Sequence, residues 1–550
     1  MRRGHGETVP VVGANQTLTS SLRPSDTVFR RRPLARGMRT TRLLAATLLI
    51  VASCTGNAAD PSAGIVSSTT LATTTTTAPE PEAFNLFAGQ GYTLDVFRQG
   101  LIETEREVTA AMFPGLPLYE ADLTLSPEMT GLEGSYSVRY TNTEEVPLQE
   151  VVFRLFPNIS DGATVIVNLT VDDAAAEPSF SLQRSVMSVP LAEALAPGES
   201  VLIEMGLEVT VPIEEGGKYG TFLLDEGILS LAHALPLLAV YDDEGWNLEI
   251  PPPNGDSVYS DAAFFLVRVA VAAGTTLATS GRQISVEQLD DGIEARLYAA
   301  GPVRDFYMAA SDRLEMIVAG VGETIVRSYA PPEFRQRNQM VLDLTVSSLN
   351  LFNELYGAYP YTELDMISTA TLALGVEYPG AIVMTMGHYD PAQGFDDPTI
   401  ISTVVHEVAH QWFYGTVGND QLDEPWLDES LAQYATWRYW EETQGEQAAS
   451  GFAAHLDSRW GRVEFADIPI GLPVAAYQED EYGAIVYGRG ALFLGDLERI
   501  FGREEFDAFL AHYAARYKYG IATTADFQQA SEEACGCDLA DEFDGAVHPR

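Results

Sequence analysis

Residues 397–445 read DPTIISTVVHEVAHQWFYGTVGNDQLDEPWLDESLAQYATWRYWEETQG. The stretch contains a histidine pair, His406 and His410, four positions apart. On a helix, that spacing puts both imidazoles on one face, one turn apart, where they can share one ion. Histidine is scarce in this chain, with 8 in 550 residues, so the pair stands out from the background.

A helix around the pair is predicted without the histidines. Asp397 is a good N-cap, Pro398 suits the first helical position, and Gly415 suits the stop. Between these signals, apolar residues recur at helical spacing and form one stripe. The stripe consists of Ile400, Val404, Val408 and Trp412.

A second predicted helix runs from near Pro425 to near Gly445 and carries Glu429 in its second turn. Its apolar face contains Trp426, Leu427, Leu431 and Tyr434. If the two helices are antiparallel, Glu429 meets the histidine pair. Two histidines and a glutamate bind one zinc ion and leave a fourth position open for water, which is typical of a catalytic site and not of a structural one.

Glu407 is adjacent to the first histidine in sequence and cannot easily share its metal. A bound zinc lowers the pKa of water to about 7, so a carboxylate beside it can act as the base. We therefore predict that Glu407 takes a proton from that water and passes it to the leaving amine. The alternative is an ordinary amphipathic helix with two incidental histidines.

The segments HEVAHQWFYGTVG and WLDESLAQY resemble the zinc signature of the aminopeptidase N family, the gluzincin metallopeptidases. The resemblance implies zinc ligands at His406, His410 and Glu429, and a catalytic glutamate at Glu407. Two neighbours of the third ligand depart mildly from the family pattern. Asp428 replaces the common asparagine, and Ser430 replaces the usual glycine.

The fold class predicted from pattern and resemblance is α+β. An N-terminal domain over residues 85–312 begins with a helix at 92–112, with Leu94, Phe97, Leu101 and Val108 inside, and continues as a β-sheet. Short, alternating, β-branched runs separated by turn signals indicate its strands. These runs are YEADLTL, GSYSVRYTN, EVVFRLFP, VIVNLTV, SVLIEMGLEVTV, FFLVRVAVA and IEARLYAA. Residues 313–550 then form a thermolysin-like catalytic domain of a small sheet plus helices.

LGVEYPG, at residues 374–380, resembles the family's glycine-x-methionine-glutamate motif in part. Gly375 and Glu377 match it, whereas Val376 and Tyr378 replace the commoner methionine and asparagine. An aminopeptidase must recognise a free α-ammonium, and a carboxylate near the zinc does so by charge-assisted hydrogen bonding. We expect Glu377 to have that role, and strand 380–385 to pair with an extended substrate.

Three further residues are candidates by resemblance. Tyr487 stands before GRGA, where the family has a tyrosine that donates a hydrogen bond to the developing oxyanion. Tyr482 also has a family counterpart, and Glu226 is the candidate for a second anionic anchor from the β domain. Packing and solvation are the alternative roles for these side chains.

Charge excludes one class of function. The chain has 32 Lys+Arg against 78 Asp+Glu, a formal net charge of −46. Such a chain will not bind nucleic acid through a general electrostatic footprint. Among its 3 cysteines, Cys535 and Cys537 are too close in sequence for a relaxed disulfide, so either a strained pair or free thiols is expected, with no catalytic role.

The N-terminal 54 residues read as a leader. Met38, the start we expect, opens a positive segment followed by an 11-residue apolar core, which is too short to span a bilayer and fits a secretory signal. Residues 51–54 resemble the bacterial lipobox, which implies cleavage before Cys54 and acylation of its sulfur. Residues 55–84, rich in Ser, Thr and Pro, are expected to tether the folded body to a bacterial membrane.

Together these features predict an exported zinc aminopeptidase that removes N-terminal residues from peptides. A metallo-endopeptidase of the thermolysin type would have the same zinc site but would lack the anchor at Glu377. A peptide-binding protein with an inactive site is the third alternative, although the intact glutamate base argues against it.

Overall fold

The computed structural model describes residues 84–107, 115–214, 218–255, 258–478 and 480–548. The predicted start at Met38, the lipobox with Cys54 and the tether up to residue 83 lie outside the described residues. Among the residues that are described, no helix combines the length and the apolar character needed to cross a bilayer.

The first part of the chain is built from sheets. Within the described residues, its largest sheet has eight strands in the spatial order Arg282–Gln288, Ile293–Val303, Ala263–Ala272, Leu118–Leu125, Gly131–Thr141, Ser200–Thr210, Ala163–Val171 and Ala174–Ala175. Two smaller sheets have the orders Thr276–Thr279, Met308–Ser311, Ile228–Leu231, Phe222–Asp225 and Leu237–Leu238, Leu148–Arg154, Val186–Leu195, Ser179–Ser181. A two-stranded ribbon pairs Tyr241–Asp242 with Gly245–Trp246. Every strand predicted here is confirmed.

Alternation explains why these strands form a half-buried layer. In the strand Ser200–Thr210, every second side chain is buried. These side chains are Val201, Ile203, Met205, Leu207 and Val209. Each contributes about 1.5–3 kcal/mol by leaving water, so a one-residue slip in register would expose the whole set.

The helix predicted over residues 92–112 is wrong as a single element. Short 3-10 helices cover Ala88–Gln90, Leu94–Gly100 and Glu103–Glu105, and Val108 is outside the described residues. Phe97 and Leu101 are buried as expected. Leu101 has extended backbone and forms an antiparallel bridge with Tyr361 of the following domain, which ends the helix.

The second part of the chain combines one small sheet with helices, as predicted. In the part that the structure describes, five strands lie in the order Glu315–Val321, Thr324–Ala330, Glu363–Thr369, Ala381–Thr385 and Gly375–Val376. The helices are α1 Arg335–Tyr356, α2 Met386–Tyr389, α3 Asp397–Ala409, α4 Trp426–Gln444, α5 Glu446–Trp460, α6 Glu481–Ala484, α7 Gly490–Phe501, α8 Arg503–Arg516, α9 Thr524–Cys535 and α10 Ala540–Ala546. The remaining 3-10 turns are short connections. Cys535 and Cys537 are joined by a disulfide.

The sheet corrects one expectation about substrate pairing. Strand Ala381–Thr385 is an interior strand, because Gly375–Val376 covers its outer side in antiparallel pairing. The free edge is therefore Gly375–Val376. An extended peptide could add to the sheet there, and not along residues 380–385.

The helix that carries the histidine pair starts and stops differently from the prediction. Its N-cap is Asp396, whose side chain accepts a hydrogen bond from the Thr399 amide at 3.0 Å, so Pro398 is one position further inside. The α-helix ends at Ala409 and not at Gly415. His410 is its C-cap, and the turns that follow are closed by the Gly415 amide donating to the His410 carbonyl at 2.8 Å.

One buried arginine joins the β-sheet domain to the helical domain. Nε of Arg304 donates to the Tyr414 carbonyl at 2.9 Å, and Nη1 donates to the Ser260 carbonyl at 3.0 Å. Nη2 donates to the Gly520 carbonyl. A Cβ on Gly418 would lie 2.1 Å from Cζ of Arg304, so this close approach requires glycine. These contacts hold the loop after α3 against the β domain.

His388, in α2, is a buried histidine outside the metal site. It is 1% exposed, and within the described residues neither ring nitrogen has a hydrogen-bond partner. Its ring centroid is 4.7 Å from that of Phe395. Burial lowers its pKa to about 4, and the charge of Arg337 adds to this effect.

We expect His388 to make the fold sensitive to acid. An unfolded histidine binds its proton near pH 6.5, so between pH 6.5 and about 4 the unfolded chain holds a proton that the folded chain lacks. Stability is then present above pH 6.5 and falls as the pH drops, by about 3 kcal/mol over the window. Urea unfolding at pH 7 and pH 4.5 measures this loss. His388→Leu should reduce it, whereas His512→Leu, at an exposed position, should leave it unchanged; an equal loss in both variants would contradict the assignment.

Candidate metal centre and active site

Three buried side chains converge on one point between α3 and α4. Nε2 of His406 lies 3.0 Å from Oε2 of Glu429, and Nε2 of His410 lies 3.4 Å from the same oxygen. The two Nε2 atoms are 3.1 Å apart. The structure thus brings together the three predicted ligands, with one donor atom from each pointing at a common centre.

The surroundings of His410 suit a metal ligand. Its Nδ1 lies 3.0 Å from the Phe413 carbonyl oxygen. A carbonyl only accepts, so Nδ1 carries the hydrogen and Nε2 keeps a free lone pair. Such a backbone partner fixes both tautomer and ring orientation in metal-binding histidines.

The site holds more negative charge than its own side chains neutralise. The carboxyl groups of Glu377, Glu407, Asp428 and Glu429 are all buried there. Burial raises the pKa of Glu407 well above its usual range, and burial with the neighbouring Glu429 raises that of Asp428 to about 7. Among the described residues, the ion-pair partners of Glu429 are the two histidines. A divalent cation at the common centre would balance this charge, so the donor set fits a tetrahedral metal site with one open position.

Glu407 faces the cavity from α3, against the edge strand. A Cβ on Gly375 would lie 2.4 Å from its Oε1 and 2.5 Å from its Cγ. The carboxylate therefore occupies the space that any side chain at residue 375 would need. This contact gives a physical reason for a glycine in the Gly375–Val376 strand.

Gly375→Ala is expected to displace the Glu407 carboxylate. The new methyl group cannot coexist with the present carboxylate position, and a misplacement of about 1 Å lowers turnover by about 100-fold. Metal binding should persist, because none of the three ligands touches residue 375. Peptide hydrolysis and bound zinc per chain measure the two effects. Gly320→Ala, in a strand where the nearest atom would be 3.9 Å away, is the matched control; equal activity of the two variants would contradict the role of the contact.

Glu377 follows the edge strand directly and reaches the same cavity. Its Oε1 accepts a hydrogen bond from Nε2 of Gln421 at 3.0 Å. The same Nε2 donates to Oδ2 of Asp428 at 2.7 Å, so Gln421 links the two carboxylates. Donor atoms of Glu377, Glu407 and His410 lie within 4.8 Å of one another. The placement meets the sequence expectation that this carboxylate stands beside the ligand set.

Two glutamines position the loop of Glu377, and the motif analysis missed both. Gln411, next to a ligand histidine, accepts from the Gly380 amide at 2.9 Å and donates to the Tyr378 carbonyl at 3.2 Å. Gln421 contacts the carboxylate itself. Their position between the two predicted helices was the available signal, because a polar residue beside metal ligands frequently orients them.

Tyr487 reaches the site from the π-helical segment Ile485–Arg489, a distortion that is frequent at functional sites. Its hydroxyl donates to Oε1 of Glu429, and its ring centroid is 5.7 Å from that of His406. Tyr482 also lines the cavity, with its ring 5.6 Å from that of Tyr487. Both tyrosines are therefore brought to the site.

Glu226 does not join them. It stands in the exposed turn between Phe222–Asp225 and Ile228–Leu231, and its carboxylate pairs with Arg313 at 3.3 Å. The β domain instead contributes Tyr219 and Gly255 to the walls of the cavity. The expected second anionic anchor is thus absent from this position.

The site opens into a cavity of about 310 Å³. Its floor contains the histidine pair, Glu407 and Glu429, and the edge strand forms one side. A small cavity of about 30 Å³ adjoins it at Glu377, and an outer cavity of about 550 Å³ adjoins it at Arg459. The volume suits a few residues of an extended peptide.

The fold and the site define a metallopeptidase-type centre of the two-histidine, one-glutamate class. Residues 340–545 match the Peptidase family M1 domain. The chain belongs to the aminopeptidase N family of gluzincins, as its motifs predict. Aminopeptidase 2, mitochondrial, from Saccharomyces cerevisiae is 28% identical over 306 residues, which cover 52% of this chain and 31% of the yeast protein. Aminopeptidase M1 from Arabidopsis thaliana is 26% identical over 285 residues, covering 47% and 31% respectively.

Solved structures show the same architecture. An M1 zinc metallopeptidase from Deinococcus radiodurans superposes with a TM-score of 0.59 at 21% identity, over 79% of this chain and 95% of that one. A form of that protein bound to the peptide Tyr-Ser-Ala gives a TM-score of 0.57 with the same coverage. The chain spans about a third of the length of the curated relatives it matches.

Proposed function

We propose that this chain is a zinc aminopeptidase that hydrolyses the N-terminal residue from peptides. The observation that carries the proposal is the meeting of three metal-type ligands, an unshared glutamate and a second carboxylate in one buried cavity. The family membership and the aminopeptidase names of the relatives support it.

His406, His410 and Glu429 would hold one zinc ion. When bound, zinc supplies Lewis acidity that polarises the scissile carbonyl and makes water acidic enough to be deprotonated near neutral pH. The titles of the Deinococcus structures name zinc for that protein, which supports the same metal here.

The remaining residues divide the chemistry between them. Glu407 takes the proton from the attacking water and returns it to the leaving amine, as a general base and then a general acid. Tyr487 donates a hydrogen bond to the oxygen that gains charge in the tetrahedral state. Its hydroxyl is already directed at the metal site through Glu429. The substrate backbone can add to the edge Gly375–Val376, which directs its N-terminus towards Glu377.

A thermolysin-type endopeptidase is the alternative with the same metal site. Glu377 favours the aminopeptidase, because its carboxylate closes the amino end of the cavity, where a longer chain would have to continue. A buried carboxylate there binds an ammonium well and a neutral amide poorly. An inactive peptide-binding protein would have no use for an intact base at residue 407.

The test is hydrolysis of fluorogenic aminoacyl amides and their N-acetylated counterparts, with and without a chelator. We expect chelator-sensitive cleavage of the free-amine set alone, restored by zinc. Cleavage of both sets would move the function to an endopeptidase. Absence of any cleavage by a chain that binds one zinc would favour a binding protein.

We also propose export and anchoring through Cys54, on the basis of its sequence context alone. The apolar core, the lipobox resemblance and the polar tether support this. Intact-mass analysis of the membrane fraction tests it, with a diacylglyceryl mass on a chain that begins at Cys54 as the expected result. A chain without lipid in the soluble fraction would rule the anchor out.

A further inference from the structure

An arginine lines the active-site cavity at the end away from Glu377. Arg459, on α5, borders both the 310 Å³ cavity and the 550 Å³ outer cavity. Glu377 borders the 310 Å³ cavity and the small one. The small and outer cavities share no lining residue, so these two charged groups mark opposite ends of one continuous space.

Arg459 is held in place but is not neutralised. Its Nε donates to Nε2 of His455 at 3.2 Å, and its guanidinium carbon lies 5.6 Å from the ring centroid of Tyr487. Burial and the nearby arginines lower the pKa of His455, which therefore accepts this bond as a neutral ring. In the described part of the chain no carboxylate lies within ion-pair distance of Arg459, although it is among the most acidic of environments overall. The two Nη groups remain available to a ligand.

The one carboxylate on the wall of the outer cavity is already used. Asp396 accepts the Thr399 amide as the N-cap of α3. The other polar groups around the passage, Thr403 and Gln433, are uncharged. The cavity thus has an anionic end at Glu377 and a cationic end at Arg459, with the metal site between them.

We propose that Arg459, positioned by His455, binds a substrate carboxylate, and that this carboxylate is the C-terminus of a short peptide. The inference rests on the proposed aminopeptidase function and narrows its substrate class. A di- or tripeptide is positive at its N-terminus and negative at its C-terminus, which matches the polarity of the cavity. The guanidinium lies next to the tyrosine that faces the scissile carbonyl, and one or two extended residues, at about 3.3 Å each, would bring a C-terminus into its range. Arginine binds carboxylates through two parallel hydrogen bonds.

The test compares leucylglycine and leucylglycylglycine with their C-terminal amides. We expect the zinc-loaded enzyme to show a KM at least about 10-fold lower for the free carboxylates, the range of one charge-assisted pair. Arg459→Gln should collapse this ratio, and Arg459→Lys should restore part of it. Arg462→Gln, an exposed arginine on the same segment, removes the same charge and should keep the ratio. An unchanged ratio in Arg459→Gln, or no preference in the wild type, would overturn the proposal.

Further arms separate the remaining possibilities. If Arg459 acts only through Tyr487, kcat falls equally for acids and amides and the KM ratio stays, which overturns the proposal. If leucylaspartic acid α-amide gains as much as the free dipeptide, the site reads an acidic side chain and the C-terminal assignment is wrong. Calorimetry on zinc-loaded Glu407→Gln measures the same preference as Kd without turnover. Tight binding of the acids in a chain that cleaves nothing would sink the proposed function and leave this site standing, whereas cleavage with equal Kd values would do the reverse.

Discussion

Glu407→Gln is expected to abolish peptide hydrolysis while leaving metal binding intact. Glutamine has the shape of glutamate but cannot take a proton from water. General-base assistance contributes about 100- to 10,000-fold, so kcat should fall by about that factor with KM nearly unchanged. The measurement is single-substrate kinetics on a fluorogenic aminoacyl amide, together with zinc content per chain.

The structure supplies the reason for separating the two readouts. Glu407 is not among the atoms that converge on the metal centre, which are Nε2 of His406, Nε2 of His410 and Oε2 of Glu429. Its own neighbour is the backbone of Gly375. Loss of zinc in Glu407→Gln would therefore point to collapse of the site and not to a missing base.

Glu424→Gln is the matched control for this variant. Glu424 is a partly buried carboxylate that accepts the Thr524 amide at 3.1 Å and does not border the cavity. A glutamine there keeps an acceptor for the same amide, so activity should remain. Full activity of Glu407→Gln would remove the general-base assignment. Equal losses in both variants would show that any change of buried carboxylate in this region disturbs the fold.

The metal ligands could be predicted because the chemistry is local in the sequence. His406 and His410 share a helix face through a fixed spacing, and Glu429 is near the start of the next helix. The strands of the β domain could be predicted for a similar reason, since alternation records which face is buried. Helix ends were less secure. Asp396 and Asp397 are equally good N-caps by residue type, and only the contact to Thr399 distinguishes them.

The residues that surround the ligands could not be ranked from the sequence. Glu226 and Gln421 are both polar residues outside any regular pattern, yet one pairs with Arg313 in an exposed turn and the other bridges two carboxylates. That difference depends on how loops far apart in the chain pack together. The edge of the small sheet is a similar case, because the pairing of Gly375–Val376 is a property of the tertiary fold and not of a two-residue pattern.

Glu377→Gln is expected to weaken recognition of a free N-terminus far more than it weakens metal binding. An ammonium bound by a buried carboxylate loses a charge-assisted pair, a change that is typically worth 2 kcal/mol or more, so kcat/KM for free-amine substrates should fall by about 30-fold or more. Glutamine can still accept the hydrogen bond from Gln421, so the loop should keep its position. Kinetics on free and N-acetylated substrates, with zinc content per chain, measure the effect.

Glu226→Gln is the matched control, because it removes one carboxylate from the exposed turn and none from the cavity. It should leave both substrate sets as in the wild type. For Glu377→Gln, the gap between free and N-acetylated substrates should narrow, since the group that distinguishes an ammonium from an amide has gone. If wild type cleaved both sets equally, or if Glu377→Gln kept the full gap, the ammonium anchor would be wrong. The cavity would then have no charged group that selects the N-terminus, and the endopeptidase would become the better function for the same metal site.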